Sequence, residues 1–191
     1  QSVNAQYVTI PDANFRSYLK FLYPACFNVS NQMDTTCTAV LSETLMNTSS
    51  RSITSMEGMQ YFKNLQSLDV FNNRITTLPR LPATITNLSV QQNLMTSLPT
   101  LPPNLKYLYA HYNNLTSLPA IPATVTRIYC GNNPITSLPI LPDSLKELYC
   151  DYDSLTCLPT LPYKLNTLTC GNTRIVCLPN AINPGASISP A

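Results

Sequence analysis

Hydrophobic residues recur along most of this chain at a fixed period of 20 residues. In each period, positions 1, 4, 11 and 14 carry a large apolar side chain, and position 6 carries Val, Ala or Cys. Six units are in phase, with first residues Leu65, Ile85, Leu105, Val125, Leu145 and Leu165. A repeat this regular indicates a stack of similar units, each burying one apolar face against its neighbours.

Each unit begins with a predicted β-strand. Positions 4 and 6 are two residues apart, so in a strand both side chains point to the same face. Equivalent strands of successive units then pair in parallel. Position 9 follows the strand and carries Asn73, Asn93, Asn113, Asn133, Asp153 and Thr173. An amide both donates and accepts, so a column of Asn satisfies backbone groups that would otherwise be buried and unpaired.

Prolines at positions 15 and 18 of the first five units predict an extended return segment. Polyproline II has three residues per turn, so Leu78 and Leu81 fall on one inward side, as do Ile135 and Leu138. Proline stays on the outer edge, where no sheet hydrogen bond is lost. A 20-residue unit leaves no room for a helix on the outer side.

The pattern L-x-x-L-x-[VAC]-x-x-N-x-[LIM]-x-x-L-P-x-L-P resembles the leucine-rich repeat, and its short form is similar to repeats of bacterial effectors of the YopM and IpaH type. The resemblance implies a leucine-rich repeat solenoid. A curved parallel β-sheet forms its concave face and extended polyproline-like segments its convex face. The IpaH-type ligases carry a separate catalytic domain, and nothing here matches it.

The ends of the chain differ from the repeats. Residues 43–64 form a 22-residue unit resembling internalin-like repeats, with Met56, Met59 and Phe62 facing inward. We predict an N-terminal cap over residues 1–42, repeats over 65–180 and a tail over 181–191. The tail either closes the last repeat as a loop or leads into a missing domain.

The cap is predicted to contain a helix that covers the first layer of the core. Pro11 lies at its start and Asp12 near the positive end of its dipole. Phe15, Leu19 and Leu22 are spaced on one face. The segment "IPDANFRSYL…DTTC" also resembles the opening of surface leucine-rich-repeat proteins from Bacteroidota.

Seven cysteines fall into three groups. Cys26 and Cys37 flank a short polar loop in the cap, and we predict a disulfide between them. Cys157 and Cys177 occupy position 13 of neighbouring units, about one strand spacing apart, so a second disulfide is predicted. Both imply an oxidising compartment. The position-6 cysteines, Cys130, Cys150 and Cys170, are predicted to be reduced, buried hydrophobes.

Composition and charge argue against several functions. The net charge is +2 without any Lys/Arg run, so neither nucleic acid nor membrane is an expected partner. No apolar stretch reaches the roughly 20 residues of a membrane helix. His111 is the only histidine, and neither an acid nor a nucleophile lies at a spacing that defines a catalytic site. We expect no enzymatic activity, metal or cofactor, and interpret the acidic residues of the fifth repeat as solvated charge rather than a calcium site.

The concave face carries the candidate ligand-binding residues. Tyrosines and charged residues concentrate in repeats three to five, whereas the flanking repeats are small and polar. The predicted site consists of Phe71, Lys106, Tyr107, Tyr109, His111, Tyr112, Arg127, Tyr129, Lys146, Glu147, Tyr149, Asp151 and Tyr152. Tyr and Arg are enriched in binding hot spots. The alternative is a tyrosine ladder that only stabilises the sheet.

These observations predict a protein-binding domain that is extracellular or on a bacterial cell surface. The chain starts at "QSVNAQYVTIPDANF", as an exported protein would after removal of its signal peptide. Glycan binding is the second hypothesis, with Tyr149, Glu147 and Asp151 as a compact site. A structural spacer within a larger protein is the third. The sequence leaves the ligand and the oligomeric state open.

Overall fold

The computed structural model of the protein describes residues 5–177 and the backbone of strand 187–189. An eight-stranded parallel sheet forms its spine, with the strands in chain order from one edge to the other. These strands are β3 (Leu45–Asn47), β4 (Ser67–Asp69), β5 (Asn87–Ser89), β6 (Tyr107–Tyr109), β7 (Arg127–Tyr129), β8 (Glu147–Tyr149), β9 (Thr167–Thr169) and β10 (Ser187–Ser189).

The register of the sheet follows the sequence period. From β4 to β9, each residue pairs with its equivalent 20 positions away, so that Leu108 lies opposite Leu88 and Ile128. The prediction of stacked parallel strands is confirmed. Strand β10 pairs with β9 at the same 20-residue offset. The period therefore continues into the segment that we predicted to be a tail.

The core is a column of aliphatic side chains inside the solenoid. The predicted inward positions 4, 6 and 11 are fully buried in the central repeats, including Leu148 and Cys150 at 0% exposure. Position 14 is also buried where the structure describes it, with Leu78 at 8%. Met56, Met59 and Phe62 fill the first layer, as predicted.

The proline segments return along the side of the solenoid opposite the sheet. Residues 74–82 form neither helix nor strand, and Leu78 and Leu81 are both buried. A tight turn closes each of the first five units at position 18, where in the first unit the Pro82 carbonyl accepts a hydrogen bond from the Ile85 N–H at 3.3 Å. Proline provides the extended backbone that a 20-residue unit needs in place of a helix.

The N-terminal cap contains helix α1 (Ala13–Leu22), helix α2 (Thr38–Ser42), and the antiparallel strands β1 (Tyr7–Val8) and β2 (Met33–Asp34). Phe15 and Leu19 are buried against the first layer of the core, as predicted. Leu22 is 42% exposed, contrary to the prediction, because the helix ends there and the chain turns into a 3-10 segment at Pro24–Cys26.

Asp12 joins the cap to the repeats. One carboxylate oxygen accepts from the Phe15 N–H at 2.8 Å, which makes Asp12 the N-cap of α1. The other accepts from the N–H and hydroxyl of Thr54, at 2.8 and 2.7 Å. Burial raises the pKa of Asp12, but the hydrogen bonds from Phe15, Thr54 and Ser55 outweigh it, and the pKa is lowered. A single side chain therefore holds both the helix start and the first repeat.

Candidate functional site

Two ladders of polar side chains hold each turn of the solenoid in place. The first is the predicted Asn column at position 9. Asn113 donates to the carbonyls of Val90 and Ala110 at 3.0 and 3.2 Å, and its oxygen accepts from the Met95 N–H at 3.1 Å. Buried backbone groups of two neighbouring repeats are thus satisfied by one side chain.

The second ladder lies at position 20, where the chain turns towards the next strand. Thr124 donates to the carbonyls of Pro103 and Leu105 at 2.9 and 2.7 Å, and Ser144 makes the equivalent bonds to Ala123 and Val125. The repeat pattern did not predict this ladder, although Thr or Ser recurs at position 20 of three units. Strands β5, β7 and β8 follow these residues and are therefore fixed at both ends, which gives the exposed face of the sheet a rigid frame.

Three tyrosines form a continuous column on that face. Tyr109, Tyr129 and Tyr149 occupy position 5 of the third, fourth and fifth repeats. Strands β6, β7 and β8 pair in register, so these side chains lie side by side. The rings of Tyr109 and Tyr129 meet edge to face with centroids 5.0 Å apart, and those of Tyr129 and Tyr149 are 4.1 Å apart. These contacts restrict the rotamers of all three side chains. Burial, followed by the hydrogen bond between its hydroxyl and Tyr149, raises the pKa of Tyr129.

An ion pair runs alongside the tyrosine column. Arg127 Nε lies 2.8 Å from a Glu147 carboxylate oxygen, and the Tyr129 hydroxyl donates to the other oxygen at 3.2 Å. The Arg127 guanidinium also lies 5.4 Å from the ring centroid of Tyr107. The hydrogen bonds to Glu147 and then Tyr109 raise the pKa of Arg127. We call the set Tyr107, Tyr109, Arg127, Tyr129, Glu147 and Tyr149 the aromatic patch.

His111 borders the patch without a catalytic partner. Its ring centroid lies 5.6 Å from that of Tyr112 and 6.3 Å from that of Tyr129. Burial lowers its pKa, and its Nδ1 is buried without a hydrogen bond among the residues described. Neutral His111 is therefore a packing and contact residue in this arrangement. The alignment with an acid that a catalytic histidine needs is not present in the described structure.

The remaining predicted site residues lie around the patch or away from it. Lys106 and Lys146 are exposed just before strands β6 and β8. Asp151 accepts from the Thr169 hydroxyl and from the Gly171 N–H, so its carboxylate is held by the sixth repeat. Phe71 is partly buried two repeats away, beside a polar cluster that includes Asp69. These placements make Phe71 and Asp151 peripheral.

Position 8, just after each strand, adopts the left-handed backbone conformation. Asn72, Asn132 and Asn172 accept it readily, with φ between 54° and 58°. Tyr112 and Tyr152 adopt it too, at 55° and 58°, although a large side chain is disfavoured there. Both tyrosines are exposed, by 52% and 60%. The repeat pattern indicated both tyrosines as candidate ligand-binding residues, but it did not predict the left-handed conformation that projects them from the strand end.

The cysteines are arranged as predicted. Disulfides join Cys26 to Cys37 and Cys157 to Cys177, with Cα–Cα distances of 5.6 and 5.0 Å. The position-6 cysteines are free and buried: Cys130, Cys150 and Cys170. Burial is the largest cause that raises the pKa of each of these three thiols, so they remain protonated and unreactive.

Neither a metal cluster nor a membrane span is found in the part of the chain that the structure describes. No group of three or more His, Cys, Asp or Glu residues there is arranged to hold a metal ion. Among the same residues, no helix has the length and apolarity needed to cross a bilayer. The chemistry of the exposed face is therefore that of aromatic rings, amides and one ion pair.

The parallel sheet, the Asn ladder and the short proline returns define a leucine-rich-repeat solenoid. A family model described as Leucine Rich Repeat matches residues 64–88. The chain is a leucine-rich-repeat protein, and its short repeats are of the bacterial effector type. Comparison with curated protein sequences finds no significant match.

Solved structures of bacterial proteins share this architecture. YopM from Yersinia enterocolitica is 30% identical with a TM-score of 0.73, over 78% of this chain and 33% of that one. A Shigella effector leucine-rich-repeat domain is 29% identical with a TM-score of 0.65, over 72% of this chain and 62% of that one. The chain therefore spans less than two thirds of either relative.

A further structure agrees in fold alone. InlJ from Listeria monocytogenes matches with a TM-score of 0.70 at 24% identity, over 99% of this chain and 48% of that one. Its functional domain is described as including a cysteine ladder. In the present chain the fourth, fifth and sixth repeats each place one thiol at position 6.

Proposed function

We propose that this protein binds a protein partner through the aromatic patch on its concave face. The observation that carries the proposal is the preorganised tyrosine column, with the Arg127–Glu147 pair fixed beside it. Side chains already held in one rotamer lose less entropy when a partner docks. Tyr and Arg at the centre of a polar rim have the composition of a binding hot spot.

We further propose that the protein acts outside the cell or at a bacterial cell surface, in host interaction, adhesion or surface assembly. Two disulfides support an oxidising compartment. The similarity to leucine-rich-repeat proteins of Yersinia and Shigella supports a bacterial protein that binds a protein partner. We propose no enzymatic activity, because His111 has neither an acid nor a nucleophile in hydrogen-bonding contact among the described residues.

The other two hypotheses have weaker support. A sugar site at Tyr149 would use Glu147 and Asp151, but Glu147 is paired with Arg127 and Asp151 is bonded to Thr169 and Gly171. Both carboxylates already hold partners, so fewer of their acceptor sites are left for hydroxyl groups. A structural spacer would not require an exposed aromatic centre in only three of the repeats.

The test immobilises the wild-type protein and two variants and compares what each retains in a pull-down from the native environment, run beside a glycan array. The variants are Tyr129→Ala in the patch and Tyr163→Ala in the turn that precedes β9, where the side chain is 84% exposed. We expect Tyr129→Ala to weaken partner binding by about 2 kcal/mol or more, roughly 30-fold, because a hot-spot ring is removed. Tyr163→Ala should bind like the wild type.

Folding is checked by urea unfolding of the same proteins. Tyr129 is not part of the core, so we expect its loss to cost about 1 kcal/mol of stability, the contribution of its ring contacts. Normal partner binding by Tyr129→Ala, together with loss of binding on substitution of the proline side, would show that the concave face is the wrong surface.

A further inference from the structure

A second concave site lies beside the aromatic patch, at the carboxyl ends of strands β6 to β8. It is an open slot of about 560 Å³, within the usual size range of small-molecule sites. We call it the edge slot. Its main lining residues come from positions 8 to 10 of repeats three to five: Tyr112, Asn114, Asn132, Asn133, Tyr152 and Ser154.

The two tyrosines line the edge slot from its first and last repeats, and their rings are the walls of the proposed site. Tyr112 and Tyr152 are equivalent residues two repeats apart, so their Cα atoms are separated by about two strand spacings, roughly 10 Å. One ring held in contact with both walls requires two contacts of about 4.0–4.5 Å each. The separation therefore suits a single ring between two aromatic side chains, with Asn132 at the midpoint.

The polar groups of the slot are uncharged and available. All the residues that line it are neutral. Asn133 is used by the Asn ladder, donating to Ala110 and Cys130. By contrast, the side-chain amides of Asn114 and Asn132 make no hydrogen bond within the described residues. Amides that both donate and accept are suited to hydroxyl groups, which do the same.

The backbone supplies independent evidence that the walls are selected for more than folding. Tyr112 and Tyr152 occupy left-handed positions where three other repeats have Asn. Asn would fold at least as well there, because its short polar side chain tolerates this conformation. Strained residues that persist in a regular scaffold point to a functional role. Gln92 adopts the same conformation outside the slot, so the strain supports the site only together with the exposed, slot-lining position of both tyrosines.

We propose that the edge slot binds a neutral carbohydrate ring, with its C–H faces against Tyr112 and Tyr152 and its hydroxyls on Asn114 and Asn132. A pyranose combines apolar faces with donor and acceptor groups around its rim, which matches the two walls and the free amides. The separation of roughly 10 Å between its two tyrosines fits one ring, whereas an extended peptide covers that distance with only about three residues. This site is separate from the aromatic patch and does not depend on its function.

The experiment uses protein with ¹³C-labelled tyrosine rings. Neutral hexoses, N-acetylhexosamines and fucose are added singly at millimolar concentration, and a glycan array extends the panel to neutral oligosaccharides. Spectra of Tyr112→Asn and Tyr152→Asn assign the two ring signals. We expect saturable shifts of the Tyr112 and Tyr152 signals, while those of Tyr109 and Tyr149 change little.

Each Tyr→Asn variant should bind the selected sugar at least about tenfold more weakly, because one stacking wall is lost. Both should be as stable as the wild type or more stable, so lost binding cannot be attributed to unfolding. Gln92→Asn is the matched control, because it relieves the same left-handed backbone strain at a position 8 that lies outside the slot. It should leave sugar binding unchanged, as should Tyr129→Ala.

Several results would overturn the proposal. They are the absence of saturable binding by any neutral sugar in the panel, binding confined to charged glycans, and undiminished binding by both Tyr→Asn variants. If Tyr152→Asn instead weakens a protein partner while no sugar binds, the slot is part of a protein interface. The proposal for the aromatic patch is tested separately, because its outcome is the effect of Tyr129→Ala on binding of a protein partner.

Discussion

Asp153 stands where four preceding repeats have Asn, and this one change alters the chemistry of the ladder. It is 5% exposed, and its carboxylate accepts from the Asn133 N–H at 2.9 Å. Burial, followed by the charge of nearby Asp151, raises its pKa to about 7, although the hydrogen bond from Asn133 acts in the opposite direction. The native state therefore favours the protonated acid, which resembles the neutral amide it replaces.

We predict that Asp153→Asn stabilises the protein above about pH 7. The pKa of Asp153 is raised from 3.8 in the unfolded chain to about 7, so its contribution to stability is present below about pH 4 and lost as the pH rises to about 7. At pH 8 the variant should be more stable by an amount of order 2 to 4 kcal/mol. Urea unfolding across this pH range measures the difference.

The control for this prediction is Asp143→Asn, which removes an exposed carboxylate from the turn just before the same repeat. It changes the net charge equally but lies outside the ladder, so we expect little change in stability at either pH. An Asp153→Asn protein whose advantage is the same at about pH 4 and about pH 8 would contradict the linkage.

At the scale of the repeat, most of the fold follows from the sequence pattern. The spacing of Leu108 and Ala110 predicts both the strand and its buried face, because side-chain direction alternates along a strand. The left-handed backbone at position 8 was not predicted, since Gln92 and Tyr112 interrupt the Asn residues that mark it. The position-20 ladder was missed because Thr124 finds its acceptors only when the preceding repeat is in place.

Only part of the candidate site follows from the sequence pattern. The period places Tyr109 and Tyr129 side by side, because register is fixed by the buried residues between them. The engagement of Glu147 with both Arg127 and Tyr129 depends on rotamers, which repeat position does not specify. The edge slot needs three repeats to form, so no single motif indicates it.

We predict that Asn113→Ala destabilises the protein by about 3 kcal/mol, because it leaves the Met95 N–H and the carbonyls of Val90 and Ala110 without this partner. Urea unfolding measures the loss. Asn114→Ala is the matched control: this neighbouring side chain is exposed, and its removal should change stability by no more than about 0.5 kcal/mol. Equal effects of the two substitutions would argue against a structural ladder.

At the scale of the whole molecule, stability is greatest where each repeat has two neighbours and falls towards the ends. The two ends are reinforced in different ways. The cap is held by the Asp12 hydrogen bonds and the Cys26–Cys37 disulfide. The fifth and sixth repeats are held together by Cys157–Cys177.

We predict that alkylation without reductant labels three cysteines, and only after denaturation, because Cys130, Cys150 and Cys170 are free and buried. Reduction before labelling should raise the count to seven. Mass spectrometry of the intact chain makes both measurements. Seven labelled cysteines without reductant would contradict the assignment of the disulfides.

Reduction should also weaken the last repeats. The Cys157–Cys177 bridge closes a loop of 20 residues, so its loss should lower the free energy of unfolding by about 3 kcal/mol. The double variant Cys157→Ser, Cys177→Ser should match the reduced protein in this region. Hydrogen exchange of the Cys150 and Cys170 amides follows the local opening. Unchanged exchange would show that packing alone holds this end.

The same bridge changes how the protein responds to mechanical load. A pull on the two chain ends travels through the bond between Cys157 and Cys177, so the segment between them carries no tension even after its repeat has come apart. At about 3.3–3.6 Å per extended residue, about 70 Å of chain is kept out of the stretched length. Reducing conditions release this length, so the reduced protein extends farther than the oxidised protein under the same load.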